Sequence, residues 1–366
     1  IELFVLDDGW YHGRTDDNAG LGDWFADEER LPHGLGYLSK KIHEMGLLFG
    51  LWVEPEMVSV DSDLYRAHPD WAMEIPGRHA VRSRNQLALD VGRREVQDYL
   101  IESINRILDS ANIYYVKWDI NRAITDLWSN GLSSDRQGEV SHRYVLGLYR
   151  VMDGIIKTHP DIMFEGCAGG GGRFDAGILA YMPQTWTSDD TDAVERLRIQ
   201  YGTSYAYPAS AMGAHVSAVP NHQVRRTTSC KMRCEVALGG NFGLELDLTR
   251  LSDEDREEIR AQIARIKEIR NTTAKGTFTR LLSPWEGDLT AYQFVDDQKI
   301  VFCCYRTLIR ANEKPLPIRL RNLKAGERYQ DAEGKIYTAN DLMHFGILPR
   351  MEPRDFSSYV LVLTKI

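Results

Sequence analysis

Tyr114-Tyr115-Val116-Lys117-Trp118-Asp119-Ile120-Asn121 is an apolar run that ends in polar residues. A strand turns successive side chains to opposite faces. Lys117, Asp119 and Asn121 therefore share one face, and Val116, Trp118 and Ile120 share the other. Polar groups set side by side in a buried strand are costly unless they satisfy one another or serve chemistry. The same ending recurs along the chain: Asp7-Asp8-Gly9-Trp10, Glu54-Pro55-Glu56, the loop from Cys167 to Gly172, and Ser188-Asp189-Asp190 each close an apolar run.

Strand patterns fall at residues 1–7, 47–53, 113–119, 162–167, 184–188, 203–209 and 238–244. Helix patterns fall between and after them, at 35–45, 94–110, 143–158, 192–201, 228–236 and 253–270. Strand–helix alternation of this kind predicts a parallel sheet with crossover helices. An open sheet concentrates function at one switch point; a closed eightfold barrel gathers it from the C-terminal ends of many strands. Polar clusters after at least five strands favour the α/β class in its (β/α)8 TIM barrel form. Seven strands are predicted where a closed barrel needs eight, and from the abrupt apolar start the eighth β/α unit is expected upstream. Beyond residue 272 the segments are short, β-rich and separated by turns such as Glu286-Gly287-Asp288. The expected organisation is a catalytic barrel over 1–272 and a C-terminal antiparallel β-sandwich domain over 273–366.

Among the strand-end groups, Lys117 beside Asp119 would hold that carboxylate ionised, as a nucleophile requires. In Ser188-Asp189-Asp190-Thr191-Asp192, either Asp190 or Asp192 is expected to cap the following helix. Asp189 is the candidate second carboxylate. Trp10, Trp24 and Trp52 lie near strand ends, where indoles stack on sugar rings. The glycine run after Cys167 lacks the residues of a phosphate-binding loop and reads as backbone left bare for a ligand.

These segments, in order, resemble the bacterial α-galactosidases of glycoside hydrolase family 36. The resemblance is carried by Phe4 to Trp10, Gly22-Asp23-Trp24, Gly50 to Met57, Arg84-Asn85-Gln86, Val116 to Arg122, Glu165 to Asp175 and Trp186 to Asp189. It implies a retaining double displacement on terminal α-linked galactose of oligosaccharides such as melibiose and raffinose. Asp119 would be the nucleophile and Asp189 the acid/base, with carboxyl groups ~5–5.5 Å apart. It further implies that Asp7 and Asp8 bind the galactose 4- and 6-hydroxyls and that Arg84 and Lys117 add sugar contacts. Asn121, Cys167 and the Gly170 backbone would surround the 2-hydroxyl, and Trp52 would wall the subsite. Relatives form tetramers, so a homo-oligomer is expected. Galactosyl transfer, or sugar binding without turnover, are the alternative functions.

The 366 residues carry a net charge of −9 with 43% hydrophobic and 27% charged residues, which argues against nucleic acid or an anionic membrane as partner. No run reaches membrane-spanning length. The five cysteines show no zinc-ligand spacing; no metal and no cofactor are expected. Their sparse, odd number favours a reducing compartment, and the expected location is the bacterial cytoplasm.

Overall fold

A computed structural model describes all residues 1–366, which form two compact units, Ile1–Thr185 and Trp186–Ile366. In the first unit, β1 (Leu3–Leu6), β2 (Leu48–Val53), β5 (Tyr115–Trp118), β6 (Met163–Gly166) and the start of β7 (Gln184–Trp186) pair in parallel in that order. The antiparallel pair β3 (Met57–Ser59) and β4 (Gln86–Ala88) lies in the long excursion after β2. Helices α1 (Gly34–Glu44), α3 (Arg94–Asp109) and α4 (Val140–Thr158) are the crossovers, with short α2 (Asp63–Ala67) and α5 (Ala176–Leu179) between.

The helices form where apolar residues recur every three to four positions. On α3, Val96, Leu100, Ile104, Ile107 and Leu108 are buried; on α4, Tyr144, Leu148, Val151, Met152 and Ile155 are. Gly147 lets α4 approach the segment that leads into α3: a Cβ there would lie 1.9 Å from the Val91 carbonyl oxygen. The strands read as continuous apolar runs because they are covered on both faces, and Phe49, Leu51, Val53, Val116, Trp118 and Phe164 are all buried in one cluster.

In the second unit, α6 (Ala193–Thr203), β8 (Met212–Ser217), α7 (Cys230–Ala237), β9 (Asn241–Glu245) and α8 (Asp253–Lys275) continue the alternation, and β8 and β9 are parallel. The fold class is thus α/β with the strand–helix order of the (β/α)8 barrel, seven parallel strands being present. One strand differs from expectation. Residues 203–209 are not a strand but the end of α6 and its exit, where the N–H groups of Tyr205, Ala206 and Tyr207 still bond back to Gly202 and Thr203. The strand is Met212–Ser217, whose Gly, Ala and Ser are weak strand formers and hid it. Asp192 caps α6 by accepting from the Val194 and Glu195 N–H groups, and Ser252 caps α8 through the Asp255 N–H.

The C-terminal region is antiparallel, as expected. Six strands run in the order β10-β11-β12-β15-β13-β14: Thr277–Leu282, Leu289–Val295, Lys299–Arg306, Ser357–Lys365, Arg328–Gln330 and Ile336–Thr338. One face, with Ala291, Ile300, Phe302, Cys304 and Leu363, is buried against Ile318, Leu320, Leu323 and the short helix α9 (Ala339–His344), so an irregular segment and a helix supply the covering layer.

Glu56, in the first unit, has no exposed surface. Arg173 Nη1 reaches both its oxygens at 2.7 and 2.8 Å, and Trp118 Nε1 and Tyr144 Oη donate at 2.7 and 2.6 Å. A buried carboxylate is tolerated when donors replace its water, and removing one partner is far costlier than the pair is worth. Arg173→Met is therefore expected to lower stability by about 3–5 kcal/mol, read as a shift in the urea midpoint of the far-UV circular dichroism.

Candidate active site

Asp119 follows β5 and is buried. Its Oδ2 accepts from Asn121 Nδ2 at 2.8 Å and from Trp52 Nε1 at 3.2 Å. Its Oδ1 accepts from the Ile120 N–H at 2.8 Å and faces the Gly169 N–H at 3.4 Å. Two strand ends and the glycine loop thus hold one carboxylate, and the alternation along β5 explains it: Lys117, Asp119 and Asn121 point one way, while Trp118 points to Glu56.

Lys117 does not neutralise Asp119. Its ammonium pairs with Asp7 Oδ2 at 2.9 Å. Burial pulls the Lys117 pKa down, but the charges of Asp7, Cys167 and Glu165 and the bond to Asp7 leave it raised overall. Residues two apart in a strand are separated by ~6.5–7 Å, and the long lysine spans outward to the exposed acid rather than along its own strand. Asp7 and Asp8 are both exposed. Asp8 is clamped by Arg14, whose Nη2 and Nε lie 2.8 and 3.1 Å from its two oxygens, and by Tyr11 Oη at 3.1 Å. Each acid therefore has one cation behind it and oxygens open to solvent, an arrangement suited to hydroxyl donors.

Cys167 is buried after β6, and burial, then the Asp119 charge, push its thiol well up. Gly169 and Gly170 have φ of 54° and 88°, left-handed values that glycine adopts without strain. They close the turn in which the Ala168 N–H donates to the Gly170 carbonyl at 2.8 Å and which brings the Gly169 N–H to Asp119. Trp52 is buried with its indole N–H spent on Asp119.

The expectation for the indoles changes. Trp10, Trp24 and Trp52 are 2%, 1% and 2% exposed. Trp10 and Trp24 pack on each other and on Tyr11 as core residues, the Trp10 N–H taken by the Trp52 carbonyl at 2.8 Å, while Trp52 turns its own N–H to Asp119. Arg84 is exposed with φ 56°, beside Asn85 at 60°, in the loop before β4; its guanidinium makes no hydrogen bond to the cluster. Arg122 anchors this loop, donating to the Val81 and Gln86 carbonyls at 2.6 and 2.8 Å. Glu54, Gln86 and Arg14 had no assigned part in the sequence reading. The position of Glu54 straight after the apolar run 50–53 was the available signal.

Asp189, in the second unit, is exposed in the turn after β7. Trp186 Nε1 donates to its Oδ1 at 3.0 Å. The Trp186 ring is stacked on His215, with centroids 4.4 Å apart, and lies 4.4 Å from the Arg196 guanidinium. Arg196 also donates to Thr187 Oγ1, the Ser188 carbonyl and the Gly213 carbonyl at 3.0, 3.1 and 2.7 Å, so the turn that presents Asp189 is braced from below. Nowhere do three or more His, Cys, Asp or Glu side chains come together as a metal site, and no helix is long and apolar enough to cross a membrane.

Fold and site together define an α/β-barrel protein with carboxylates gathered at its strand ends. Residues 1–276 match the Melibiase family, and residues 289–363 match the glycosyl hydrolase family 36 C-terminal domain. The chain belongs to the Melibiase family. It is 52% identical over 360 residues to α-galactosidase AgaA of Geobacillus stearothermophilus, covering 98% of this chain and 49% of the relative. It is 45% identical to α-galactosidase Mel36A of Lactobacillus acidophilus, again over 98% of this chain and 49% of the relative. The crystal structure of AgaA superposes with a TM-score of 0.98 at 51% identity, over 100% of this chain and 51% of that one. An AgaA variant solved in complex with raffinose gives 0.98 at 50%, over 100% and 51%. The chain spans about half the length of the curated relatives it matches.

All five cysteines are free and buried, and burial pushes the Cys167, Cys303 and Cys304 thiols up. Because the thiolate is the reactive form, Cys167, Cys303 and Cys304 are expected to react slowly with a disulfide reagent at mildly alkaline pH in the native protein, and fast after denaturation.

Proposed function

We propose that this chain carries the reacting residues of a retaining α-galactosidase, with Asp119 as nucleophile and Asp189 as acid/base. The observation that carries the reading is the setting of Asp119: a buried carboxylate oriented by donors on both oxygens at the end of a barrel strand, where such folds keep their chemistry. In the first step an Asp119 oxygen bonds to the anomeric carbon while the bond to the leaving oxygen breaks and takes the Asp189 proton. In the second, the Asp189 carboxylate accepts a proton from water as its oxygen attacks that carbon and frees Asp119.

Asp7 and Asp8 supply open acceptors for the sugar's 4- and 6-hydroxyls, with Lys117 behind the first. Asn121, Cys167 and Gly170 surround the 2-hydroxyl. Trp52 is assigned to the subsite wall. Arg84 is assigned a sugar contact through its loop. Raffinose and melibiose are the substrates of this reading, supported by relatives named as α-galactosidases and by the raffinose complex of one. We take residues 1–272 as the catalytic region and 273–366 as its appendage. The free cysteines fit a reducing compartment.

The test is turnover of p-nitrophenyl α-galactoside by this chain, Asp119→Ala and Asp189→Ala. Turnover in the parent and a loss on the order of a thousandfold or more in each variant are expected. Azide should restore Asp119→Ala with β-galactosyl azide as product, and Asp189→Ala with the opposite anomer. A folded parent without turnover, or an Asp119→Ala variant that keeps parental rates, would refute the assignment.

A further inference from the structure

Glu54 is wholly buried just past β2 and takes no part in the chemistry above. Its two oxygens have separate duties. Oε1 accepts from the Asn121 backbone N–H and from Gln86 Nε2, each at 2.5 Å. Oε2 accepts from Asn121 Nδ2 at 3.0 Å. The same Asn121 amide gives its other hydrogen to Asp119 Oδ2 at 2.8 Å. One NH2 group therefore bridges two carboxylates. An asparagine amide can turn over and exchange oxygen for nitrogen. Here the turned orientation would set its oxygen against both Glu54 and Asp119, so only one orientation survives.

We infer that Glu54 is a positioning residue: by gripping Asn121 through both its backbone and its amide, it fixes the orientation in which Asn121 holds Asp119. The inference rests on the reading of Asp119 as nucleophile. A glutamate kept only to fill space would need neither the double hold on residue 121 nor a charge beside a second carboxylate, which is costly.

The charged and titratable groups facing Glu54 are Asp119 from the end of β5, and Tyr11 and Arg14 from the segment after β1; Gln86 of β4 and Asn121 are neutral. Burial, then the Asp119 charge, raises the Glu54 carboxyl to about 7, against the hydrogen bonds from Asn121 and Gln86 that lower it. Above that pH both oxygens accept. As pH falls through it, a proton on Oε2 displaces the Asn121 N–H and loosens the grip. Activity that depends on this grip is lost on the acid side.

The experiment compares the parent with Glu54→Gln and Glu54→Asp, each checked for folding by circular dichroism. The indole N–H of Trp52, which donates to Asp119 Oδ2 at 3.2 Å, is identified by Trp52→Phe and followed by proton–nitrogen NMR through neutral pH. In the parent it should shift with a midpoint at about 7; in Glu54→Gln it should be displaced and insensitive to pH. If Glu54→Gln does not fold, Glu54→Asp is read by displacement of the indole resonance, since its shorter arm loses the Oε2 bond to Asn121 while its carboxyl still titrates. An indole resonance that titrates alike in the parent and Glu54→Gln, or keeps its parental position in Glu54→Asp, overturns the inference. In turnover of p-nitrophenyl α-galactoside, Glu54→Gln should lose roughly tenfold to a hundredfold in kcat through misplacement of the nucleophile, with little change in KM and no acid limb near neutrality. Unchanged kcat and pH profile also overturn it. A parent without turnover counts against the assigned activity, and the indole resonance still decides the role of Glu54.

Discussion

Glu54 and Glu56 must both be taken out of water, and the donors that replace that water organise the first unit. In a continuous strand the two would share a face. The strand ends at Val53, and the chain turns through Pro55, so they part. Glu54 meets Gln86 and Asn121, while Glu56 meets Trp118, Tyr144 and Arg173. These donors come from β4, from either face of β5, from α4 and from the loop after β6. Two carboxylates one proline apart thus tie most of the strand ends of the unit to one another, which is what a site assembled from several strand ends requires.

The consequence for Asp119 is a division of labour between its own strand and its neighbours. The segment just past β5 supplies the Ile120 N–H and the Asn121 amide, β2 supplies the Trp52 indole, and the glycine turn supplies the Gly169 N–H. None of these donors carries a full charge. The cations nearby are committed elsewhere, Lys117 to Asp7, Arg14 to Asp8 and Arg173 to Glu56. A carboxylate held by dipoles keeps its orientation without a cation bonded to either oxygen, an economy consistent with electrostatic preorganisation.

The face of β5 was legible because a period-two pattern with Lys117, Asp119 and Asn121 on one side admits one reading. The placement of Lys117 was not: alternation names the face a side chain leaves from, not the group a flexible four-carbon arm reaches. Trp10 and Trp24 misled for a related reason. Nearness to a strand end in sequence does not say whether an indole faces the opening or the layer beneath, and both lie packed with Tyr11. β8 was missed because a strand covered on both faces needs no alternation, and Met212-Gly213-Ala214 carries little β-preference of its own. The Asp192 cap was legible because capping is local, whereas the bracing of Asp189 by Trp186 and Arg196 depends on helix α6 folding back over its own entry turn.

The two exposed acids and the two buried ones are built for different tasks. Asp7 and Asp8 each rest on one cation and keep oxygens in solvent, so a hydroxyl that replaces water there finds acceptors at little desolvation cost. Glu54 and Asp119 have already lost their water, and the protein supplies its replacements. For such a pair the orientation of one shared amide matters more than any added charge. Gln86 Oε1 lies buried without a partner, a cost accepted on one side of the cluster. It follows from turning the Gln86 nitrogen towards Glu54, and so keeping that carboxylate in the orientation that holds Asn121.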